Sequence, residues 1–382
     1  MRFIVGLLSL LLLLGCDRSQ PAIKLGVVLP LTGEFQIYGQ QGLNGARLAV
    51  DEINRAGGVL GRPLELIVQD NQTNPSEAAR LSRELIQLDD VFALLGPVSS
   101  VARNAVLEVA ERYKVPLFYG IDYEGGSYSR YLFCYSAIPD HYVKPLVPYL
   151  MDTSGSRFYV FGYDYVWPHE IARSIDRSVT AHGGVVEGIE FTPFGAKDYT
   201  ATLQRLKASG ADNLMLILPG PDGFDFLQQF SQFDFERPVK VMAFAADENY
   251  LTAVPAEQLE GVITALHFFN SLDSSVAQAF VQRYQQALAG RSVATYSSKA
   301  HYDLIYLLKH ALETAGTVDR EALIDAISGQ TLYSGADQIT LRSDHHVDLP
   351  MYLAEYQQGQ LNIIEKLGVI SPQDQRRVGW VQ

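Results

Sequence analysis

The feature that most constrains this chain is a regular alternation of apolar runs of strand length with amphipathic helical segments. Residues Ile23–Leu29 form a continuous apolar run, which is typical of a parallel strand buried on both faces. Residues Gly39–Ala56 carry apolar side chains at helical spacing, and two glycines follow them. The same alternation returns between residues 158 and 267. Repeated strand–helix units predict an α/β protein with doubly wound parallel sheets and helices on both sheet faces.

The C-terminal third has a different pattern. Residues Val276–Leu288 and Ser297–Ala315 predict long helices, and two strands, Met351–Gln357 and Leu361–Lys366, follow them. These strands predict a hairpin with Gly359 in its turn. The length of 382 residues suggests two domains, but no linker rich in Gly, Ser or Pro separates them. We therefore expect two lobes that are joined by several short crossings.

The N-terminus predicts export from a bacterial cell. Arg2 precedes an apolar run, Phe3–Leu14, that is too short to remain in a bilayer as a spanning helix. Gly15 and Cys16 end this run and resemble a lipobox, in which the cysteine becomes the first mature residue and carries acyl chains. Residues 1–16 would then be a lipoprotein signal peptide. The alternative is an ordinary signal peptide in which Cys16 is incidental.

The residues that follow the cysteine indicate which membrane holds the protein and how long its tether is. Asp17 resembles a signal that keeps lipoproteins on the inner membrane of enteric bacteria. Residues 17–21 would form a short tether between the lipid and the folded chain. We expect an extracytoplasmic protein that is anchored to a membrane by its N-terminal lipid.

Composition and charge exclude several classes of partner. The formal net charge is −13, and the 30 Lys and Arg residues form no basic cluster. Nucleic acid is not expected as a partner, because its phosphates require clustered cations. Cys134 is the only other cysteine of the mature chain, so no internal disulfide is expected.

Motifs of catalysis are absent from the sequence. There is no Gly-x-Ser-x-Gly, no phosphate-binding Gly-x-x-x-x-Gly-Lys-Ser/Thr and no Gly-x-Gly-x-x-Gly. Asp344, His345, His346 and Asp348 are close in sequence, but adjacent histidines of an extended segment point to opposite faces and chelate poorly. We expect no enzyme activity, no cofactor and no metal.

An ordered set of short motifs near the N-terminus resembles a known family. Pro30-Leu31-Thr32-Gly33 ends the first strand, and the following helix ends in Asp51-Glu52-Ile53-Asn54 before two glycines. Gly61-Arg62-Pro63 and a strand ending in Gln69-Asp70 come next. This order is similar to the start of the type I periplasmic binding proteins of the branched-chain amino acid and amide class.

The middle of the chain resembles the short-chain amide and urea receptors of that class. One shared element contains Tyr119, Tyr123, Glu124 and Gly125; a second contains Gly162, Asp164, Tyr165, Trp167 and Pro168; a third is HFFNSLD at residues 267–273. The similarity extends from about residue 23 to residue 365.

The resemblance implies two Rossmann-like lobes that are joined by three hinge crossings and close on a ligand between them. Residues 22–139 and 268–338 would form lobe 1, and residues 140–267 and 339–382 would form lobe 2. Ligands of doubly wound folds bind beyond the carboxyl ends of the strands, which agrees with such a cleft.

Candidate ligand contacts stand at predicted strand ends. Ser99 and Ser100 follow a strand and precede a helix, and the resemblance identifies Ser100 as the binding serine. The alternative is that both serines only cap the helix. The aromatic candidates, two from each lobe, are Tyr119, Tyr123, Tyr165 and Trp167. Core packing is their alternative role.

The sequence departs from the resembled receptors at several site positions. Val98 replaces an aromatic residue, Ile121 replaces a hydroxyl-bearing residue, and Asp122 replaces a proline. Asp247 matches the position of an acid that binds the ligand ammonium in amino acid receptors, and Asp222 could also face the cleft. Carboxylates near one cleft favour a ligand with amine or amide N–H donors, although each acid could instead cap a helix.

These features together predict a lipid-anchored receptor for a small polar solute that serves an ABC importer. Amide- or urea-like solutes are the first expectation, and amino acids or other small amines are the second. Closure of the lobes on the ligand would create the form that the membrane permease recognises. The alternatives are a sensor subunit for a membrane kinase or chemoreceptor, and an amidohydrolase.

Overall fold

The computed structural model describes residues 20–334 and 337–378. Its strands are β1 Ile23–Leu29, β2 Leu64–Asp70, β3 Ala93–Leu95, β4 Leu117–Tyr119, β5 Leu132–Cys134, β6 Arg157–Tyr163, β7 Val185–Thr192, β8 Asn213–Ile217, β9 Lys240–Ala243, β10 Ile263–Leu266, β11 Thr331–Ser334, β12 Asp337–Leu341, β13 Val347–Gln357 and β14 Gln360–Ile370. Its helices are α1 Gln36–Arg55, α2 Pro75–Gln87, α3 Ser100–Tyr113, α4 Pro139–Thr153, α5 Val166–Ala181, α6 Thr200–Ser209, α7 Pro221–Gln232, α8 Tyr250–Ala253, α9 Ala256–Leu259, α10 Ser275–Ala287, α11 Tyr296–Ala315 and α12 Arg320–Ile327.

The first sheet is built from the N-terminal third of the chain. Its strand order is β2-β1-β3-β4-β5, and all neighbouring strands are parallel. Strand β1 lies inside the sheet, and six of its seven residues are buried. This explains its continuous apolar run, because a parallel strand covered by helices exposes neither face to water.

The second sheet contains nine strands in the order β11-β12-β13-β10-β9-β8-β6-β7, with β14 paired to β13. Strands β6 to β10 pair with one another in parallel, whereas β13 is antiparallel to β10, β12 and β14. Helices connect the successive strands of the parallel part, as the strand–helix alternation predicts. The antiparallel part corresponds to the C-terminal strands that lack intervening helices.

Local signals in the sequence set several helix boundaries. The Asn74 side chain accepts hydrogen bonds from the first amides of α2, and Pro75 occupies the first helical position. Helices α6 and α11 end at Gly210 and Gly316, both of which adopt the left-handed conformation that glycine tolerates best. The predicted helix Ser297–Ala315 agrees closely with α11, which such a signal ends.

The predicted C-terminal hairpin is confirmed. Strands β13 and β14 are antiparallel and pair up to Gln357 and Gln360. The two residues between them, Gln358 and Gly359, both have positive φ angles. A two-residue turn with two positive φ angles matches the right-handed twist of paired strands.

Five elements were not predicted from the sequence: α4, α8, α9, β5 and β11. Helix α4 contains Pro145 and Pro148 in its interior, and interior prolines normally break a helix. It persists because several of its side chains, including Val143 and Leu146, are fully buried by packing. Strand β5 has only three residues, which is too short to show a periodic pattern.

The chain passes between the two groups of elements at three places. It leaves the first sheet after β5, returns after β10 to form α10, α11 and α12, and joins the second sheet again at β11. Helix α11 packs on α1 beside the first sheet. The boundaries proposed for the two lobes, at residues 139, 267 and 338, stay predictions.

Candidate ligand-binding site

A cavity lies where the carboxyl ends of strands from both sheets face each other. It contains about 340 Å³ of space that protein atoms do not fill, part of which is open to solvent. Its lining consists of Phe35, Tyr38, Val98, Ser99, Ser100, Ile121, Asp122, Tyr165, Trp167, Pro219, Ala245 and Tyr296. Five of these twelve side chains are aromatic, so the walls are apolar and the polar groups are few, as in most small-molecule sites.

The N-terminus of α3 forms one end of the cavity. Strand β3 ends three residues before Val98, and the turn places Ser99 as the N-cap of α3. The Ser99 Oγ accepts a hydrogen bond from the Ala102 amide at 3.3 Å. Ser99 therefore caps the helix and also lines the cavity, and its role as a ligand contact stays a prediction. The first amides of a helix and its dipole favour an electron-rich ligand atom at this position.

Ser100 is held by a buried ion pair behind the cavity. Its Oγ donates a hydrogen bond to Oε2 of Glu124 at 2.5 Å. Oε1 of Glu124 accepts from the Arg103 guanidinium at 2.8 Å, and the two charged side chains are 0% and 1% exposed. Burial of both charges is tolerated because each has a partner of opposite charge.

Tyr119 and Tyr123 do not line the cavity but enclose this ion pair. The Arg103 guanidinium carbon lies 5.3 Å from the Tyr119 ring centre and 4.3 Å from the Tyr123 ring centre. The Tyr119 hydroxyl donates to the Val98 carbonyl at 2.5 Å, and the Tyr123 hydroxyl bonds to the His346 ring. Both tyrosines are fully buried and act as a wall behind the α3 turn.

Asp122 brings an ionisable group into the apolar lining. Its Oδ1 accepts from the Ala137 amide at 3.0 Å, and Oδ2 has no hydrogen-bond partner among the described residues. Burial raises the pKa of Asp122 to about 7, although the Ala137 amide opposes this shift. The free oxygen is an acceptor for a ligand N–H when the group is ionised.

Aromatic side chains from both sides close the rest of the cavity. Tyr165 and Trp167 stand at the start of α5, beyond the carboxyl end of β6. Their rings are 6.4 Å apart, and the Phe35 ring lies 6.2 Å from the Tyr165 ring. Tyr296, the first residue of α11, completes the lining opposite them.

Asp247 and Asp222 are buried outside the cavity lining. Oδ1 of Asp247 accepts from the amide and the side chain of Asn249, at 3.0 and 2.9 Å. Oδ2 of Asp222 accepts from the Gly195 amide at 2.6 Å, and its side chain lies in the first turn of α7. Both acids therefore stabilise loops of the second group of elements.

Direct hydrogen bonds join the two sides of the cleft beside the cavity. The Tyr38 hydroxyl of α1 donates to the Ala245 carbonyl at 3.0 Å. Nε2 of Gln41, one turn further along α1, donates to Oδ1 of Asn249 at 3.2 Å. Since both pairs connect a helix on the first sheet to the loop after β9, they stabilise the closed arrangement.

The structure brings together seven of the eleven residues predicted as ligand contacts: Val98, Ser99, Ser100, Ile121, Asp122, Tyr165 and Trp167. It places Tyr119, Tyr123, Asp222 and Asp247 outside the lining, and the role of all eleven in binding stays a prediction. The lining also contains Phe35, Tyr38, Pro219, Ala245 and Tyr296, which were not predicted. Position alone could have indicated Pro219 and Ala245, because each follows the end of a predicted strand.

A sequence profile of the periplasmic binding protein family matches residues 22–360. The chain belongs to the periplasmic binding protein family. It is 23% identical over 342 residues to the Leu/Ile/Val-binding protein homolog 6 of Brucella abortus (strain 2308), with 87% of each chain covered. It is 25% identical over 297 residues to homolog 8 of the same strain, with coverage of 72% and 73%.

Solved structures of this family share the fold. One is a solute-binding protein of an ABC transporter from R. palustris in complex with benzoate, with a TM-score of 0.84, 19% identity and coverage of 92% and 98%. Another is the leucine-binding protein LivK from Thermotoga maritima, with a TM-score of 0.81, 22% identity and coverage of 92% and 100%. The predicted type I fold with two Rossmann-like lobes is therefore confirmed.

Membership in this family assigns the general role. The protein is a solute-binding protein of the periplasmic binding protein family. Its relatives are binding proteins rather than enzymes. No helix within residues 20–334 and 337–378 is long and apolar enough to cross a membrane, and no group of three metal-ligating side chains occurs in these ranges. The predicted lipobox with Cys16 lies outside the described residues.

Proposed function

We propose that this receptor is anchored to a membrane by a lipid on Cys16 and captures a small polar solute that presents N–H donors. An amide- or urea-like solute is the first candidate. Closure of the two lobes on this solute would form the state that delivers it to an ABC permease. The observation that carries the proposal is the unpartnered oxygen of Asp122 beside the start of α3, in an otherwise aromatic cavity.

The polar groups of the cavity suit the two ends of an amide. The first amides of α3 can donate to its carbonyl oxygen, and Asp122 can accept from its nitrogen. The flat faces of Tyr165 and Trp167 suit a small planar group and exclude water around these hydrogen bonds.

Small amines and amino acids are the second candidate, because the Asp122 carboxylate also attracts an ammonium group. Asp247, the expected partner of an amino acid ammonium, does not line the cavity. A solved relative from Streptococcus pneumoniae was crystallised with isoleucine, and those from Rhodopseudomonas palustris with aromatic acids. Benzoate and leucine therefore belong in a ligand panel beside acetamide and urea.

Calorimetry with acetamide, urea, leucine and benzoate tests the proposal. We expect acetamide or urea to bind, and we expect Asp122→Asn to weaken this binding by roughly tenfold or more, since one charge-assisted hydrogen bond is lost. Asp198→Asn is the matched control, because Asp198 is an exposed acid that does not line the cavity. Binding of benzoate alone, or of none of the four, would overturn the proposed solute class.

The anchor is tested separately from the solute. Cys16→Ser should move the protein from the membrane fraction to the soluble extracytoplasmic fraction, because stable anchoring requires the acyl chains. An unchanged membrane fraction in this variant would show that the lipid proposal is wrong.

A further inference from the structure

The hydrogen bond between Ser100 and Glu124 has a fixed direction. An ionised carboxylate can only accept hydrogen bonds, and the Arg103 guanidinium at 2.8 Å forms a salt bridge with Glu124. The single hydroxyl proton of Ser100 is therefore donated to Glu124, at 2.5 Å. The Glu124 side chain is only 1% exposed, so water competes little for this proton.

This direction limits what Ser100 can offer to a ligand. Since its proton is used, the Ser100 oxygen has only lone pairs left, and Arg103 Nη1 contacts it weakly at 3.5 Å. Ser100 lines the cavity beside Asp122, whose free oxygen is also an acceptor when ionised. Two neighbouring side chains of the lining thus accept hydrogen bonds.

We propose that the buried Arg103–Glu124 pair is a specificity device, in which Glu124 acts through Ser100 and makes the ligand site select a hydrogen-bond donor over an isosteric acceptor. Glu124 is a positioning residue, because it lies behind Ser100 and does not line the cavity. The inference rests on the proposed function in one respect, that this cavity is the ligand site. Glu124 is then the residue that makes the site prefer an amide over the carboxylate of the same shape.

Acetamide and acetate are the probes, because they differ in whether an NH₂ donor or a second acceptor oxygen is present. In Glu124→Gln, the Gln oxygen can keep the bond to Arg103 while its NH₂ donates to Ser100, which frees the Ser100 proton for the ligand. We expect the preference for acetamide over acetate to fall by roughly tenfold, the usual effect of one mismatched buried hydrogen bond. A purely structural role would weaken both probes together and leave their ratio unchanged.

Two further variants keep the test decisive. Glu84→Gln removes an exposed glutamate of α2 that is paired with Arg80, and it should not alter the ratio. Ser100→Ala is measured in case Glu124→Gln does not fold, since it removes the acceptor and leaves the ion pair in place. It should lower the affinity for acetamide more than the affinity for acetate.

The outcomes separate this inference from the proposed function. If the wild-type protein prefers acetamide and folded Glu124→Gln keeps that preference, the inference is wrong and the proposed function stands. If Ser100→Ala weakens acetate more than acetamide, Ser100 is a donor and the inference is also wrong. If the wild-type protein binds neither probe, both proposals are overturned.

Discussion

Three carboxyl groups are buried near the cleft without a cationic partner among the described residues. Burial raises the pKa of Asp122 and Asp247 to about 7 and that of Glu248 to about 8. Within the described part of the chain, Oδ2 of Asp247 and Oε2 of Glu248 have no hydrogen-bond partner. Each group therefore binds a proton in the folded state at a pH at which it is ionised in the unfolded chain.

These shifts predict that the free energy of unfolding decreases as the pH rises from 6.5 to 8. Raised folded-state pKa values stabilise the fold at low pH, and this stability is lost as the pH rises towards 7 and 8. The loss is about 1.4 kcal/mol per pH unit for each group until its folded pKa is reached. Burial lowers the pKa of His267 to about 3, so buried histidines of this kind make the free energy of unfolding depend on pH only below pH 6.5. Denaturant titrations at both pH values measure the change.

Glu248→Gln isolates one contribution to this pH dependence. Glu248 Oε1 accepts from the Asn270 amide at 2.6 Å, which a Gln oxygen can retain. The variant should flatten the pH dependence between 6.5 and 8, whereas Glu257→Gln, at an exposed position of α9, should leave it as in the wild type. A variant with the full wild-type slope would show that Glu248 is ionised in the folded state.

At the scale of elements, the close packing of α1 on α11 depends on glycine. A Cβ atom at Gly45 would overlap the carbonyl oxygen of Ser298 in α11. The obstacle is backbone, so it cannot move without displacing the helix. The first residue of α11, Tyr296, lines the cavity, which connects this contact to the site.

Gly45→Ala should therefore destabilise the protein by about 1–3 kcal/mol, despite the better helix propensity of alanine. Arg47→Ala, two residues further along α1 at an exposed position, is the control and should change stability by less than about 0.5 kcal/mol. Denaturant unfolding of the two variants measures the difference. Equal stabilities would mean that the two helices can separate without cost.

Most elements were predictable because each carries its own local signal. Buried parallel strands such as β1 are short apolar runs, and helices such as α2 begin at a capping residue. Helix α4 was not predictable, because its stability comes from burial against other elements and its prolines indicate a break.

At the scale of the whole molecule, Gln41 links the two sides of the cleft without lining the cavity. It donates to Asn249 and accepts from the Tyr284 hydroxyl at 2.7 Å. A residue of this kind influences ligand affinity only through the balance between open and closed forms.

Gln41→Ala should weaken binding of acetamide several-fold, because the loss of one hydrogen bond in the closed form shifts that balance by about 1 kcal/mol. Small-angle scattering should show a larger radius of gyration than the wild type at the same subsaturating acetamide concentration. Gln40→Ala, the exposed neighbour on α1, should retain wild-type affinity and shape. Unchanged affinity in Gln41→Ala would show that this contact does not stabilise closure.

The sequence by itself determined the alternation of strands and helices, and with it the fold class and the edge of each sheet where a ligand can bind. It also located the lining residues that follow strand ends, such as Val98, Asp122 and Tyr165, because position along a parallel strand is a local property. Only the tertiary structure decided that Asp247 is held by Asn249 outside the cavity and that Tyr296, almost two hundred residues from Ser99, completes it. The reason is physical: side-chain direction and contacts between distant segments depend on how the two lobes pack, and no local pattern encodes them.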